Sequence, residues 1–366
     1  MVQRFSRYVR RFNVKISIGT NIKDGPWGGG NLFAINLTNY LIENGHEVTY
    51  DLNESNIDII LMTEPRKTSE SSAFTNFDIQ KYLNYENNNA LVVHRINECD
   101  ERKMTNYVNK YLLNANKVAD STIYVSTWIM NIFHELGIDK KENFVVLGGA
   151  NKEIFNNIGY KPRKENEKFK IVTHHWGANR NKGFDIYELL DNLLDEKKWS
   201  EKIEFKYIGN LPKHFNFRNV EHIEPLSGDL LATEIKKSHI YLTASINEPS
   251  GNHHIEGAQC GLPLLYIESG GIPEYCFGYG IGFNNENFIE KLSNMIDNYD
   301  NELEKIKKYP RNSEIMSEEF LKIFQNLIQN KDVIIKNRNN NLNYSKLSAL
   351  NYKISKKMRK LIKNRK

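Results

Sequence analysis

Glu248-Pro-Ser-Gly-Asn-His-His-Ile-Glu256-Gly-Ala-Gln-Cys-Gly-Leu-Pro263-Leu-Leu-Tyr-Ile-Glu-Ser-Gly-Gly271-Ile-Pro-Glu274 is the most constrained stretch of this chain. Glu248 and Glu256 lie eight residues apart with a small Ser250-Gly251 turn between them. A helix starting near Asn252 leaves Glu248 in the loop before its N-terminus and carries Glu256 just over one turn inside. The backbone N–H groups of Ser250, Gly251, Asn252, His253 and His254 then point at one electropositive spot suited to a diphosphate. The two carboxylates flank that spot as acceptors for hydroxyls. A ligand with hydroxyls on both sides of a diphosphate is a nucleotide sugar, so a nucleoside diphosphate sugar is the expected partner. For the side chains of His253 and His254 two readings stay open, contact with phosphate or a place on the surface near the helix start.

Outward from this stretch, strand-length apolar runs alternate with helix-period patterns. Upstream, residues 14–19 read as a strand, 24–31 as a loop carrying Gly28, Gly29 and Gly30, and 32–44 as a helix stopped by Gly45. Residues 47–52 resume as a strand, which completes a β-α-β unit. Short apolar strands follow at 57–62, 90–94, 122–125 and 144–147, the pattern of a parallel sheet covered on both faces. A polar stretch at 156–168 reads as a linker. Beyond it, strands are expected at 169–173, 203–208, 240–243 and 264–267, with helices at 184–194, 230–237, 287–299 and 313–329. The class is α/β: a basic leader at 1–13, a first Rossmann-like domain at 14–155, a second at 169–330 and a basic tail at 331–366.

The opening stretch resembles the E-x7-E region of retaining GT-B glycosyltransferases of the family 4 type. The resemblance rests on Glu248 and Glu256, on Gly257-Ala258-x-Cys260-Gly261-x-Pro263, and on Ser269-Gly270-Gly271-Ile272-Pro273-Glu274. It spans roughly residues 14–330 and is most specific over 169–276. It implies the GT-B fold, two Rossmann-like domains facing across a cleft, the first taking the acceptor and the second the donor. The last helices would cross back onto the first domain. The activity implied is sugar transfer to an acceptor hydroxyl on a glycan or lipid-linked glycan, with retained configuration, no divalent metal and no cofactor.

Such a transfer needs the leaving diphosphate neutralised, and no Asp-x-Asp triplet for a metal occurs in the chain. A positive side chain is therefore expected at the phosphates. Lys182, in Asn179-Arg180-Asn181-Lys182-Gly183-Phe184-Asp185, resembles the family's Arg-x4-Lys followed by Gly. The family's Arg position is Gly177 here, and Arg180, three residues late, is the expected substitute. The resemblance implies Glu248 near the sugar or reacting centre and Glu256 on the ribose hydroxyls. The residues alone also allow both to be helix-terminal carboxylates. Gly28, Gly29 and Gly30, which permit close backbone approach, are implied beside the diphosphate and acceptor. His94, at the end of Val92-Val93-His94, is implied at the transferred sugar, with Asp100 and Arg102 nearby, or is a structural histidine at a strand end. Gly271 and Glu274 are implied close to the donor.

Composition bounds this reading. The 366 residues suffice for two cores, and 40% hydrophobic content fits a globular protein. No apolar run approaches the roughly 20 residues of a membrane span, and no secretory pattern stands at the N-terminus. Three cysteines, Cys99, Cys260 and Cys276, lack metal-ligand spacing. A reducing, cytoplasmic setting is expected, peripheral to a membrane if the tail binds one. The two basic ends hold +15 of a net +5, so residues 14–330 carry −10. That argues against nucleic acid gripping the body, which would need clustered Lys and Arg there. The tail places Leu347, Leu350, Ile354, Met358, Leu361 and Ile362 at spacings of three and four among lysines. Residues 344–366 thus read as an amphipathic basic helix for an anionic membrane surface, or as a segment solvated or packed on the acidic body. Two rival functions remain at this level: an inactive binding protein of the same fold, favoured by Gly177, and a nucleic-acid protein acting through its basic ends.

Overall fold

Ile59, Ile60, Leu61 and Met62 are all fully buried, and they divide between two cores. Ile59 and Leu61 pack with Phe33, Leu37 and Phe320, whereas Ile60 and Met62 pack with Ile79 and Tyr82. Alternate side chains point to opposite faces of a strand, so a run of four apolar residues fits a sheet covered on both sides. The computed structural model describes residues 13–23, 28–138 and 142–338, with Tyr352 and Ile354. The basic leader up to residue 12 and nearly all of the expected tail helix lie outside the described residues.

The first sheet comprises β1 (Lys15–Ile18), β2 (Glu47–Thr49), β3 (Ile59–Met62), β4 (Leu91–Ile96), β5 (Ser121–Tyr124) and β6 (Asn143–Val145), in the order β2-β1-β3-β4-β5-β6. The second comprises β7 (Phe169–His175), β8 (Ile203–Gly209), β9 (Glu221–Ile223), β10 (Ile240–Thr243), β11 (Leu264–Ile267) and β12 (Gly280–Phe283), in the order β12-β11-β10-β7-β8-β9. Every pairing in both sheets is parallel. Helices α1 (Gly28–Glu43), α2 (Asn76–Tyr85), α3 (Asp100–Lys103), α4 (Val108–Asn116) and α5 (Thr127–Glu135) belong to the first unit. The second holds α6 (Phe184–Leu193), α7 (Lys197–Ser200), α8 (Gly228–Ile235), α9 (Asn252–Gln259), α10 (Ile272–Cys276), α11 (Phe288–Asp297) and α12 (Tyr299–Ile306). The chain then returns through α13 (Ser313–Gln329) and α14 (Lys331–Asn337).

That return is built into the first core. Phe320 of α13 meets Phe33 of α1 at a ring separation of 5.2 Å, and Met316, Phe324 and Leu327 join the same cluster. Conversely, Ala150 and Phe155 are buried in the second core although they precede the linker. The domains therefore exchange segments at their ends. In sheets of this kind ligands bind beyond the C-terminal strand ends, where the strand order reverses. Here those points are β1 beside β3 and β7 beside β10.

Several sequence expectations change. The helix expected from residue 32 starts at Gly28, so the three glycines form the first turn of α1 instead of a loop. β4 continues to Ile96, which puts His94 inside the strand and not at its end. β9, β12 and α12 were not anticipated; β9 is two-thirds polar and β12 carries two glycines, and both are edge strands paired on one side only.

Candidate active site

The stretch that decides the fold forms β10's exit loop, α9 and β11. Gly251, at φ +101°, turns the chain into α9, a conformation that side chains with a Cβ rarely adopt. The loop ahead of it is braced by the loop after β11. Gly271 N–H donates to the Glu248 carbonyl at 2.8 Å, and Asn247 N–H donates to Ser269 Oγ at 2.9 Å. Gly270 has φ +65°, and a Cβ there would stand 2.5 Å from that same Glu248 carbonyl oxygen. The two glycine-bearing loops thus fix where the Glu248 side chain starts.

Glu248 Oε2 receives two cations. Lys182 Nζ lies 2.9 Å away and Arg102 Nε 3.1 Å away, and all three side chains are largely buried. Burial by itself would raise the Glu248 pKa, but Lys182 and Arg102 outweigh it and hold the carboxyl at about 2. Burial pushes the Lys182 ammonium below its usual range, an effect that Glu248 partly opposes. Lys182 ends a short 3-10 turn, Arg180–Lys182, immediately before α6. Ile246 N–H bonds to the carbonyl of neighbouring Asn181 at 2.9 Å, tying this turn to the Glu248 loop.

Glu256 lies on the other side of the α9 N-terminus. Its Oε2 is 2.7 Å from His174 Nε2, and Tyr241 OH closes on His174 Nδ1 at 2.9 Å. The carboxylate accepts from Nε2–H and the phenol donates to Nδ1, which fixes the histidine's tautomer. Neither His253 nor His254 is at the surface. His253 Nε2 pairs with Thr243 Oγ1 at 2.7 Å, while both ring nitrogens of fully buried His254 lack a hydrogen-bond partner. Burial pushes His253 well below its usual range and His254 down to about 3, so both imidazoles are neutral. His254 also packs against Gly251 and edge-on to Tyr275 at 5.3 Å.

The two domains touch around this centre. Glu274 accepts the Thr127 and Trp128 N–H groups at the start of α5, at 2.7 and 2.8 Å. Tyr275 OH donates to the Val125 carbonyl at 2.5 Å and accepts from Gly148 N–H at 2.9 Å. A Cβ on Gly29 would stand 3.2 Å from the Asn252 side-chain amide, so the N-termini of α1 and α9 face each other across the cleft. A Cβ on Gly148 would lie 3.1 Å from Ser250 Oγ, and one on Gly271 would lie 2.7 Å from Ser126.

The structure therefore gathers Glu248, Lys182, Glu256, Ser250, Gly251, Asn252, His253, His254 and Gly29 around one place, with Gly28 and Gly30 in the adjoining turn. Three expected residues stand apart. Arg180 is largely exposed and paired outward with Asp185 and Glu188. His94 is fully buried inside β4, accepts at Nδ1 from Asn116 Nδ2 at 3.1 Å, and is pushed by burial down to about 3. Glu274 spends its carboxylate on α5. Sequence reasoning missed His174, although two successive histidines closing the buried strand β7 were a legible signal. Arg102 it placed only beside His94. Among the described residues no group of three or more His, Cys, Asp or Glu side chains is arranged to hold a metal ion, and no helix is long and apolar enough to cross a membrane.

No protein-family model and no curated protein sequence matches the chain. Solved structures do. A glycosyltransferase from Rickettsia africae superposes with a TM-score of 0.60 at 17% identity, covering 87% of this chain and 98% of that one. Sucrose-phosphate synthase from Thermosynechococcus elongatus gives 0.58 at 12% identity, over 87% and 99%. Anabaena HepE in complex with UDP and glucose gives 0.55 at 13% identity, over 87% and 99%. Likeness at these identities is one of fold: two parallel six-stranded α/β domains in the GT-B arrangement.

Proposed function

We propose that this protein is a glycosyltransferase that moves a sugar from a nucleoside diphosphate sugar to an acceptor hydroxyl. The observation that carries this reading is the buried pairing of Lys182 with the Glu248 carboxylate in the loop that leads into α9, with Glu256 braced by His174 just over one turn inside that helix. An anionic group already sits where a phosphate oxygen would be held. The diphosphate lies against the amides of Ser250, Gly251, Asn252, His253 and His254 and against Lys182 Nζ. Glu256 Oε1, the oxygen that His174 does not use, takes the ribose hydroxyls. Glu248 turns to the sugar hydroxyls once phosphate takes over its cations.

In the reaction the anomeric carbon leaves its phosphate oxygen and bonds to the acceptor oxygen, and the acceptor proton passes to the departing phosphate. This front-face course retains configuration, as the family resemblance suggests, and needs no separate base. The charge that develops on the leaving group falls on preorganised donors, so no metal is invoked. A hexose as the transferred sugar and a glycan or lipid-linked acceptor are part of this proposal. The basic tail would then hold the enzyme at an anionic membrane on its cytoplasmic side. Gly270 and Gly271 shape the loop beside Glu248, and Glu274 makes the contact between the domains.

Thermal-shift screening of UDP-, GDP-, ADP- and dTDP-linked sugars tests the reading. Stabilisation by at least one nucleotide sugar, and not by the free sugar, is expected, since a ligand that binds only the native state raises the melting temperature. No shift with any of them contradicts it.

A further inference from the structure

On the nucleotide-sugar reading, the second domain brings Lys182 to the diphosphate, but the position where the resembled pattern carries arginine is Gly177, and Arg180 points outward into pairs with Asp185 and Glu188. A Cβ on Gly177 would meet the Lys182 side chain at 3.6 Å, so position 177 does border the site. From the opposite domain, Arg102 brings a buried guanidinium to the same oxygen of Glu248 that Lys182 holds. We propose that Arg102 is a donor-phosphate ligand supplied by the first domain, so that the phosphate site is complete only when the cleft is closed. This inference rests on the nucleotide-sugar reading above.

The mounting of Arg102 favours such a role. Asp100, at the head of α3, accepts from Thr105 Oγ1 at 2.5 Å and from the N–H groups of Tyr107, Val108 and Asn109 at 3.0, 2.8 and 3.1 Å. A carboxylate tied this way makes a rigid knot of the segment that carries the arginine. The second domain then grips the backbone of that segment. Asn181 Nδ2 donates to the Arg102 carbonyl at 2.8 Å, and Asn247 Nδ2 donates to the Glu101 carbonyl at 3.3 Å. Asn181 and Asn247 immediately precede Lys182 and Glu248, so the grip and the charge cluster form and separate together. Glu248 engages the guanidinium through Nε, and its terminal N–H groups are of the kind a bidentate phosphate contact requires. In the present arrangement Glu248 Oε2 stands in for the phosphate oxygen that Arg102 and Lys182 would share.

Calorimetric titration of the full chain with UDP, GDP and ADP, each beside its own nucleoside, tests this, using wild type, Arg102→Ala and Arg102→Lys. The expected result is that Arg102→Ala weakens the nucleoside diphosphate by at least about tenfold, the size of one lost charged hydrogen bond, and leaves the nucleoside unchanged. Arg102→Lys recovers part of the loss. Equal weakening of nucleoside and nucleoside diphosphate assigns Arg102 a merely structural role and overturns the inference. Unchanged diphosphate affinity in Arg102→Ala overturns it too, while the proposed function stands. Failure of wild type to bind any of the three diphosphates overturns both.

Discussion

Glu274 of α10 sits on the N-terminus of α5, its two carboxylate oxygens accepting the Thr127 and Trp128 amide hydrogens from the other domain. An anion at a helix start is favourable, worth about 0.3–1 kcal/mol at an exposed position. Because the contact joins the two domains, that energy biases the cleft toward closure. Glu274→Ala is expected to shift the closed-to-open ratio by up to about fivefold, seen as a larger radius of gyration in small-angle scattering. An unchanged radius would remove Glu274 from the closing contacts.

Glu256 combines two demands, since it is buried and also holds His174. Glu256→Ala is expected to cost about 1–3 kcal/mol of stability by leaving the His174 N–H unpaired. Glu256→Gln keeps an acceptor for that N–H but removes the charge and turns the second carboxylate oxygen into an NH2 group. It should unfold at the wild-type denaturant midpoint while binding nucleoside diphosphate about tenfold more weakly. Equal nucleotide affinity in Glu256→Gln and wild type would contradict the ribose assignment.

The buried histidines set a pH dependence. Burial pushes His94 and His254 down to about 3 in the folded chain, whereas an unfolded histidine titrates near 6.5. Below pH about 6.5 the unfolded chain binds protons that the folded one refuses. Stability is therefore complete above that pH and falls as the pH drops toward about 3, by about 2 kcal/mol per histidine between pH 7.5 and 5. His94→Gln should reduce that difference by about 2 kcal/mol in urea unfolding at the two pH values. The same loss in variant and wild type would show that His94 is not buried in its neutral form.

How much of this was legible in the sequence follows from which contacts are local. Continuous apolar runs and period-3.6 patterns located the central strands and α13, because Ile59 to Met62 and Phe320 bury themselves regardless of chemistry. Edge strands β9 and β12 escaped, since one-sided pairing asks little of their side chains. The α9 loop was readable because Gly251 and Gly270 answer to backbone geometry within a few residues. Arg102 was not readable as a partner of Glu248. The two are 146 residues apart, and only closure of two domains brings them together. The glycines at 28–30 misled for a related reason, as their low helix propensity was overridden by α1's packing on α13.

The start of the basic tail is part of the fold. Arg338 pairs with Asp120 through Nε and Nη2 at 2.8 and 2.7 Å and donates to the carbonyls of Asn88 and Ala90, both at 2.7 Å. A chain ending at residue 332 leaves buried Asp120 without its cation and should lose about 3 kcal/mol. One ending after Arg338 should keep the wild-type melting temperature. If the segment beyond it binds membrane, only the full-length chain should sediment with anionic vesicles at low salt, and added salt should release it. Equal sedimentation of full-length and 338-residue chains would contradict a membrane role for the tail.

Release of nucleoside diphosphate from its sugar conjugate tests the central claim most directly. The full chain would be incubated with UDP-, GDP- and ADP-sugars in excess chelator, with Lys182→Ala alongside. The account predicts release from at least one donor despite the chelator, and a loss in Lys182→Ala of about a hundredfold or more, as for other preorganised donors at a leaving charge. Release from none of the donors, or equal release by Lys182→Ala, would contradict it.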